Sequence, residues 1–411
     1  MSSLSENVRK HRRRAGMSQE QLAEAARLSL GLVRKAEQGG NLSVESIHAL
    51  ARALGTTTSE LFATEAPAPV RVNEGDGPKL SELRRALMPP IGLRDVLVQA
   101  NKAPSLESVR REIDDSHALY HADHYDSVAK KLPGILRDAE AAVTVAEEGE
   151  ARNEAIAIRG SALLLAGKYL TQIRRDDMAY HAISLGIRDA REVGNRSIAA
   201  TGVVGMAWLL LRQDRFDEAE HLAAVTADEI EPRMSTATPG ELALWGELLL
   251  RVAAAAIRNN RPDTAKQARK MTATAASALS REHVDFRQHW TTFGPVTAEA
   301  KAIEDLSLIG DFRGVLDRAD AGPVSAKALR KLGQPSTNSW DRHRLDVARA
   351  HTKLGSHQDA MDELGALKES SPEWLKHQPM ARYIMEDLLK SRKRTLTEEM
   401  RGMALHLGIT G

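Results

Sequence analysis

The stretch MSQEQLAEAARLSLGLVRKAEQ, residues 17–38, decides how the N-terminal part of this chain folds. Ser18 is placed to cap a first helix, Leu28 closes a tight turn, and Ser29 is placed to cap a second helix. The first helix has one apolar face with helical spacing, made of Leu22, Ala23 and Ala26. The stretch therefore predicts a helix, a turn and a second helix.

The predicted second helix has an inner and an outer side. Val33 and Ala36 point inwards, while the N-terminal turn stays outside with Arg34 and Lys35 directly behind it. Such a turn is suited to entering a DNA major groove, and the two cations are suited to holding flanking phosphates. Leucines here can touch thymine methyl groups, whereas hydrogen-bonded readout depends on the cations and on Gln19. The predicted DNA-binding residues are Gln19, Ser29, Leu30, Gly31, Leu32, Arg34 and Lys35.

These residues resemble the helix-turn-helix of the XRE family, which includes the lambdoid phage repressors. The resemblance is carried by Ser18-Gln19-Glu20-x-Leu22-Ala23, Leu28-Ser29, Val33, Glu37 and Gly39, and downstream by Leu50-Ala51-x-Ala53-Leu54-Gly55 and Glu60-Leu61-Phe62. It implies a five-helix lambda-repressor-like domain and a buried ion pair between Arg12 and Glu37. Arg27 stands where the family usually has a turn glycine, so a positive φ there is predicted to cost ~1 kcal/mol.

Composition limits the classes to which the protein can belong. A chain of 411 residues is long for one core, so we predict two or more folded units, and its hydrophobic content of 42% is ample for burial. Aromatic residues make up only 4%, and abundant Ala and Leu favour helix over sheet, so we predict an all-α fold. The formal net charge is only +1, but residues 1–62 hold nine Lys or Arg against six Glu. The positive charge that suits a nucleic acid is therefore local.

The sequence carries no pattern typical of catalysis or of a membrane protein. It has no nucleophile elbow, phosphate loop or zincin motif, so we predict that it is not an enzyme and needs no cofactor. Cysteine is absent, no signal peptide is recognisable, and no apolar run approaches about 18 residues. We therefore predict a cytoplasmic protein with no membrane partner.

One histidine cluster has spacing that a zinc ion could use. His117, His121 and His124 fall at i, i+4 and i+7 beside several aspartates. A polar, solvated helix face explains the same cluster, and His124 lies in a predicted turn. We favour the solvated face and predict no metal site.

A change in composition divides the chain. From Ala63 to Pro78 the sequence reads ATEAPAPVRVNEGDGP, in which proline, glycine and acid replace apolar periodicity. We predict a DNA-binding domain at residues 1–62, a flexible linker at 63–79 and a helical repeat domain at 80–411. A flexible linker cannot transmit rotation as a rigid rod would.

The third part is read as a repeat array because apolar helical runs are broken by turns at regular intervals. Counted between their third residues, the turns lie 44, 47, 46, 50 and 45 residues apart. Arg215-Phe216-Asp217-Glu218-Ala219 resembles the tetratricopeptide turn, although the period exceeds the usual ~34 residues. The turns are predicted at 123–125, 167–169, 214–216, 260–262, 310–312 and 355–357.

Stacked helical hairpins predict a tetratricopeptide-like α-solenoid with a concave groove. The two-part order resembles Gram-positive peptide-pheromone receptors, which act in quorum sensing, and actinobacterial XRE regulators with helical repeats. This resemblance implies homodimers on a double-stranded DNA operator and a signal peptide or small molecule in the groove; recruitment of a protein partner is the alternative. Trp245 is open to two interpretations, ligand stacking and structural packing. The predicted ligand-binding residues are Asn153, Arg159, Thr201, Trp245, Asn338 and Arg342.

Overall fold

The computed structural model describes residues 3–40, 42–56, 58, 61, 78–90, 105–283, 290–391 and 396–409. Within these residues the chain is helical, and the one extended pairing is an isolated antiparallel bridge between His283 and Phe293. The predicted all-α class is confirmed. No helix of the described part is both long and apolar enough to cross a membrane.

The N-terminal residues 3–61, here called the head, form a small helical unit with its own core. Its helices are α1 (Ser3–Arg14), α2 (Gln19–Ala26), α3 (Leu30–Glu37) and α4 (Val44–Ala53). Of the fifth helix that the resemblance implies, only Thr58 and Leu61 are described, and both are helical. The core of the head is apolar and fully buried, and its largest members are Val8, Leu22, Val33, Ile47, Leu50 and Leu61.

Residues 78–409, here called the body, form a series of antiparallel helical hairpins consistent with an α-solenoid. Its first helix begins at Pro78, two residues before the predicted domain boundary; the rest of the predicted linker, 63–77, lies outside the described residues. The helices are α5 (Pro78–Leu87), α6 (Leu106–His121), α7 (Tyr125–Val145), α8 (Glu150–Gln172), α9 (Asp176–Glu192), α10 (Arg196–Arg212), α11 (Phe216–Glu229), α12 (Pro239–Arg258), α13 (Pro262–Leu279), α14 (Pro295–Ile309), α15 (Phe312–Arg318), a 3₁₀ turn (Gly322–Val324), α16 (Ala326–Leu332), α17 (Thr337–Leu354), α18 (His357–Ser370), α19 (Pro372–Lys376), α20 (Pro379–Ser391) and α21 (Glu398–His406).

The two helices of a hairpin differ in how they are buried. Helices α8, α10 and α12 carry apolar residues on every side and are buried along most of their length. Their partners α9, α11 and α13 bury one face and present the other to solvent. Because a helix that is apolar all round must be covered by protein, the first helices form the inner layer of the body and the second helices the outer layer.

Five of the six predicted turns are confirmed by residues with positive φ between paired helices. The turn predicted at Gly167–Tyr169 is wrong, because these residues are buried inside α8 and the chain turns at Arg174, with φ of 62°. A Cβ on Gly167 would lie 2.4 Å from Cγ1 of Ile183, so this glycine allows α8 and α9 to pack closely. The confirmed turns contain Asp123, Asp214, Asn260, Gly310 and Gly355.

Candidate nucleic-acid interface

The helix-turn-helix begins with two side-chain caps and one strained turn. Ser18 accepts a hydrogen bond from the Gln21 backbone, and the Gln21 side chain bonds back to Ser18. Ser29 accepts from the Leu32 backbone and fixes the start of α3. Arg27 adopts φ of 54°, as predicted from its place in the turn. These local bonds fix the angle between α2 and α3.

A buried carboxylate ties α3 to the rest of the head. Glu37 is only 3% exposed, and its oxygens accept hydrogen bonds from Arg12 Nε at 2.5 Å and from Gln19 Nε2 at 2.7 Å. Burial opposes ionisation of Glu37, but the bonds from Arg12 and Gln19 outweigh it and hold the pKa of this carboxyl below its usual value. The predicted Arg12–Glu37 ion pair is therefore present, and it aligns α1 and α2 with α3.

The outer side of α3 presents most of the predicted DNA-binding residues. Ser29, Gly31, Arg34 and Lys35 are exposed. The Arg34 guanidinium lies 3.8 Å from Glu20, and since both side chains are more than half exposed, this pair leaves Arg34 free to turn to a phosphate.

The other three predicted DNA-binding residues are only partly exposed. Leu32 is half-buried, and Leu30 packs partly against the core of the head, which corrects its predicted place on the outer side. Gln19 donates one of its two amide N–H groups to Glu37, so its second N–H and its carbonyl oxygen are still available to DNA. The arrangement leaves two exposed cations, Arg34 and Lys35, and the exposed Ser29 and Gly31 at the start of α3 for contact with a nucleic acid.

The head is held against the body at the turn between α10 and α11. Thr58 donates hydrogen bonds from its backbone and its hydroxyl to Asp214 Oδ2, both at 3.2 Å. The His48 ring packs edge-on against Phe216, with the ring centroids 5.0 Å apart. Burial, and then the charges of two nearby arginines, lower the pKa of His48 to about 3, so this ring is neutral at pH 7. The two arginines are Arg258 and Arg349.

A second contact joins the turn of the head that contains Arg27 to the turn of the body between α12 and α13. Asn260 donates its side-chain amide to the Arg27 carbonyl at 2.7 Å, and Arg52 lies 3.5 Å from Asp217. Val44 packs on an apolar group of the body. That group is Ala256, Ile257, Ala265 and Leu308. Sequence reasoning missed this interface because its two halves lie far apart in the chain, and each reads as part of its own folded unit.

A polar cleft of about 460 Å³ lies along the same boundary. It is open on one side, and both parts of the chain contribute to its walls. Three arginines face one carboxylate in it, so its surface is positive. The lining residues are Ala25, Arg27, Arg52, Asp217, Asn259 and Arg261.

Two of the six predicted ligand-binding residues face the interior of the body. The Arg342 guanidinium lies 4.7 Å from the centroid of the Trp208 ring. Asn338 accepts a hydrogen bond from the Tyr125 hydroxyl at 3.4 Å. Asn153 is instead exposed in the first turn of α8.

The side chains of the other three predicted ligand-binding residues make contacts within the body itself. Trp245 is 3% exposed and packs in the core, so its structural interpretation replaces ligand stacking. Arg159 forms a two-pronged ion pair with Asp189, at 2.8 and 2.9 Å, and also bonds Glu140. Thr201 is buried, and its hydroxyl donates to a carbonyl in the preceding turn of its own helix. None of these side chains lines an open groove.

The histidine cluster is not the solvated face that we predicted. His117 and His121 are buried, and burial together with the nearby Lys168 cation lowers both pKa values well below the usual one. Lys168 Nζ lies 2.9 Å from His121 Nε2. His124 is exposed at the start of α7. In the described part of the chain no group of three or more such side chains is placed to hold a metal ion.

Sequence reasoning also missed several charged groups that face the interior of the body. They share one signal, an isolated charge within an apolar run of a helix, which is costly unless the charge serves a partner. In the run LALWGELLLRVAAAAI of α12, for example, Glu247 and Arg251 are the inner charges. The missed groups are Lys168, Arg212, Glu247 and Arg251.

Comparison with known families supports the interpretation of the head. Residues 8–61 match a family model described as Helix-turn-helix, which supports a DNA-binding transcription regulator. The match ends before the body begins. Neither the curated proteins nor the solved structures that were searched contain a match to this chain.

Proposed function

We propose that the protein is a sequence-specific transcription regulator, with a tetratricopeptide-like body that senses a signal ligand and mediates dimerisation. The observation that carries the DNA-binding part is the exposed start of α3, held in place by the Glu37 network and followed by Arg34 and Lys35. A helix presented in this way can enter a major groove while the cations hold the flanking phosphates. Catalysis has no place in this proposal.

Band-shift titration tests the role of α3 directly. We expect Arg34→Ala and Lys35→Ala each to weaken binding to a selected DNA site. Loss of a phosphate contact reduces the salt slope by about one unit, whereas loss of a base contact costs about 1–3 kcal/mol at one position. Arg188→Ala, an equal change at an exposed site on α9, serves as the control. If both variants bind DNA as tightly as the control, α3 is not the helix that contacts DNA.

The contacts between head and body support a route for regulation. Arg212 faces the interior of the body from the end of α10, and Asp214, two residues later, is the anchor of the head. A ligand that shifts the end of α10 would therefore change how the head is held. Allosteric coupling of this kind is typically about 1–3 kcal/mol, or a five- to 150-fold change in operator affinity. The flexible linker predicted at 63–79 would let the head move once it is released.

Dimerisation is proposed to use the C-terminal end of the body. The head has little apolar surface left, because it fills its own core and covers its α4 face on the body. Leu405 on α21 is 79% exposed. Light scattering should show a dimer at micromolar concentration, and Leu405→Glu should shift it towards monomer, whereas Leu354→Glu should not. A monomeric parent chain would contradict this proposal.

The signal is proposed to be a peptide or another small molecule. The alternative is a DNA-binding adaptor whose solenoid recruits a protein partner. Operator affinity that responds to a low-mass fraction of cell extract favours the sensor. A response that requires a macromolecular fraction favours the adaptor.

A further inference from the structure

The interior of the body contains a cluster of arginines around one tryptophan. The centroid of the Trp208 ring lies 4.7 Å from the guanidinium carbon of Arg342, 4.9 Å from that of Arg251 and 5.3 Å from that of Arg212. Three different helices, α10, α12 and α17, bring these charges to one place. Arg174, in the turn after α8, is close enough that its charge acts on Arg212.

These arginines lack the carboxylate partner that several other enclosed arginines of the body possess. Of the described carboxylates, none lies within 4.0 Å of the four arginines in the cluster, and Arg251 Nε is buried without a hydrogen-bond partner. Arg212 donates to the Thr171 carbonyl, a neutral acceptor. In contrast, pairs with a carboxylate are made by Arg159 with Asp189, Arg258 with Glu304, Arg269 with Asp305 and Arg344 with Glu363.

The acidic groups nearest to the cluster do not neutralise it. Glu304 already binds Arg258 at 2.8 Å and Lys301 at 2.6 Å. Glu247, Asp346 and Asp176 act on the cluster through space: Glu247 raises the pKa of Arg251, Asp346 that of Arg342 and Asp176 that of Arg212, in each case against a larger effect of burial. Burial also raises the pKa of Asp346 itself. Among the described residues, no carboxylate at ion-pair distance therefore offsets the four positive charges of the cluster.

Burial and mutual repulsion act on the cluster together. Burial lowers the pKa of Arg212 well below its usual value, and the charges of Arg174 and Arg342 lower it further. Burial also lowers the pKa of Arg251 to about 10. Exposure nevertheless remains, because Arg212 and Arg342 are only half-buried and Arg174 is exposed. A cluster that is crowded, has no described carboxylate at ion-pair distance and is still partly exposed to solvent favours the binding of a counterion.

We propose that this Arg–Trp cluster binds a small ligand with two or more negative charges, of the phosphate-ester or polycarboxylate class. A single carboxylate would leave most of the guanidiniums unpaired, whereas a multiply charged anion can accept several two-pronged hydrogen bonds. Asn338, next to Tyr125, adds a side chain that can both donate and accept. This inference rests on the proposed function, since it names the ligand class of the sensing body.

Calorimetric titration of the full chain tests the proposal with two probes, inorganic pyrophosphate and citrate. We expect at least one to bind, and Arg212→Gln and Arg342→Gln each to weaken it by about tenfold or more. Arg188→Gln on the exposed face of α9 is the matched control and should bind like the parent. Pyrophosphate alone indicates a phosphate ester, citrate alone a polycarboxylate, and both together a general dianion site. Binding of neither probe, or equal weakening in the control, overturns the proposal.

Thermal melting without ligand separates a binding site from a structural cluster. Unpaired cations repel one another, so Arg342→Gln should leave the melting temperature of the ligand-free protein unchanged or raise it. A marked fall in both glutamine variants would assign the cluster to folding and overturn the proposal. Operator binding by band shift is an independent readout: loss of anion binding with intact operator binding contradicts only this inference, whereas a parent chain that binds no DNA contradicts the proposed function.

Discussion

The Glu37 network of the head and the arginine cluster of the body treat buried charge in opposite ways. In the head, Glu37 is held by Arg12 and Gln19, so this buried carboxylate has partners for its charge. In the body, the cluster around Trp208 brings cations together without a carboxylate at ion-pair distance among the described residues. Paired charge fixes the geometry of the head, whereas the arginine cluster is where we propose that the body binds an anion.

Removing the paired charge of the head should have the largest effect. Glu37→Ala strands the Arg12 guanidinium, which is 13% exposed, and should cost about 3–5 kcal/mol in the unfolding free energy of the head. Urea denaturation followed by the circular dichroism of the chain measures this. Glu24→Ala, at an exposed position of α2, is the control, and a cost equal to that of the control would mean that the pair does not align the head.

Acid should weaken the boundary between the two parts. The pKa of His48 is about 3 in the folded protein, against about 6.5 when unfolded, so its contribution is complete above pH 6.5 and is lost as the pH falls towards 3. At pH 5 the loss is about 2 kcal/mol. Thermal melting at pH 7.5 and pH 5 should show a smaller pH effect in His48→Gln than in the parent. An identical pH effect in the variant and the parent would show that a group other than His48 takes up the proton.

Asp214 has two roles, as the acceptor that holds the head and as the residue with positive φ in the turn, and a substitution can separate them. Asp214→Gly keeps the positive φ of 58° but removes the acceptor of two Thr58 bonds, at a cost of about 1–3 kcal/mol to docking. Hydrogen exchange should then quicken in α4. Asp214→Asn, which keeps an acceptor oxygen and tolerates this φ, should retain most of the protection. Equal exchange in the parent and the glycine variant would show that the head is held by other contacts.

The smallest effect is expected from the exposed ion pair between Glu20 and Arg34, and it concerns DNA affinity. Glu20→Gln removes a negative charge 3.8 Å from Arg34 and should slightly strengthen DNA binding, most clearly at low salt. Band shifts at two salt concentrations measure the change. Glu24→Gln provides the comparison within the same helix. A weaker complex would indicate that Glu20 itself contacts a base or positions Arg34.

Much of the head could be predicted because its determinants are close together in sequence. The caps at Ser18 and Ser29 follow from rules that span a few residues, whereas the positive φ of Arg27 is expected from the family resemblance. The Arg12–Glu37 pair came from a family resemblance, which supplies the contact that spacing alone does not. In the body, five of six turns could be predicted for the same local reason.

The sequence by itself determined the helical class, the helix-turn-helix and most of the hairpins, because capping, turn chemistry and apolar spacing act over one or two helical turns. Only the tertiary structure decided that Gly167 packs against Ile183 instead of turning the chain, and that Trp208 rather than Trp245 faces the arginines. It also decided that Asp214 holds the head. These outcomes depend on side chains far apart in the chain meeting at one point, and the spacing of residues along a single helix does not contain that information.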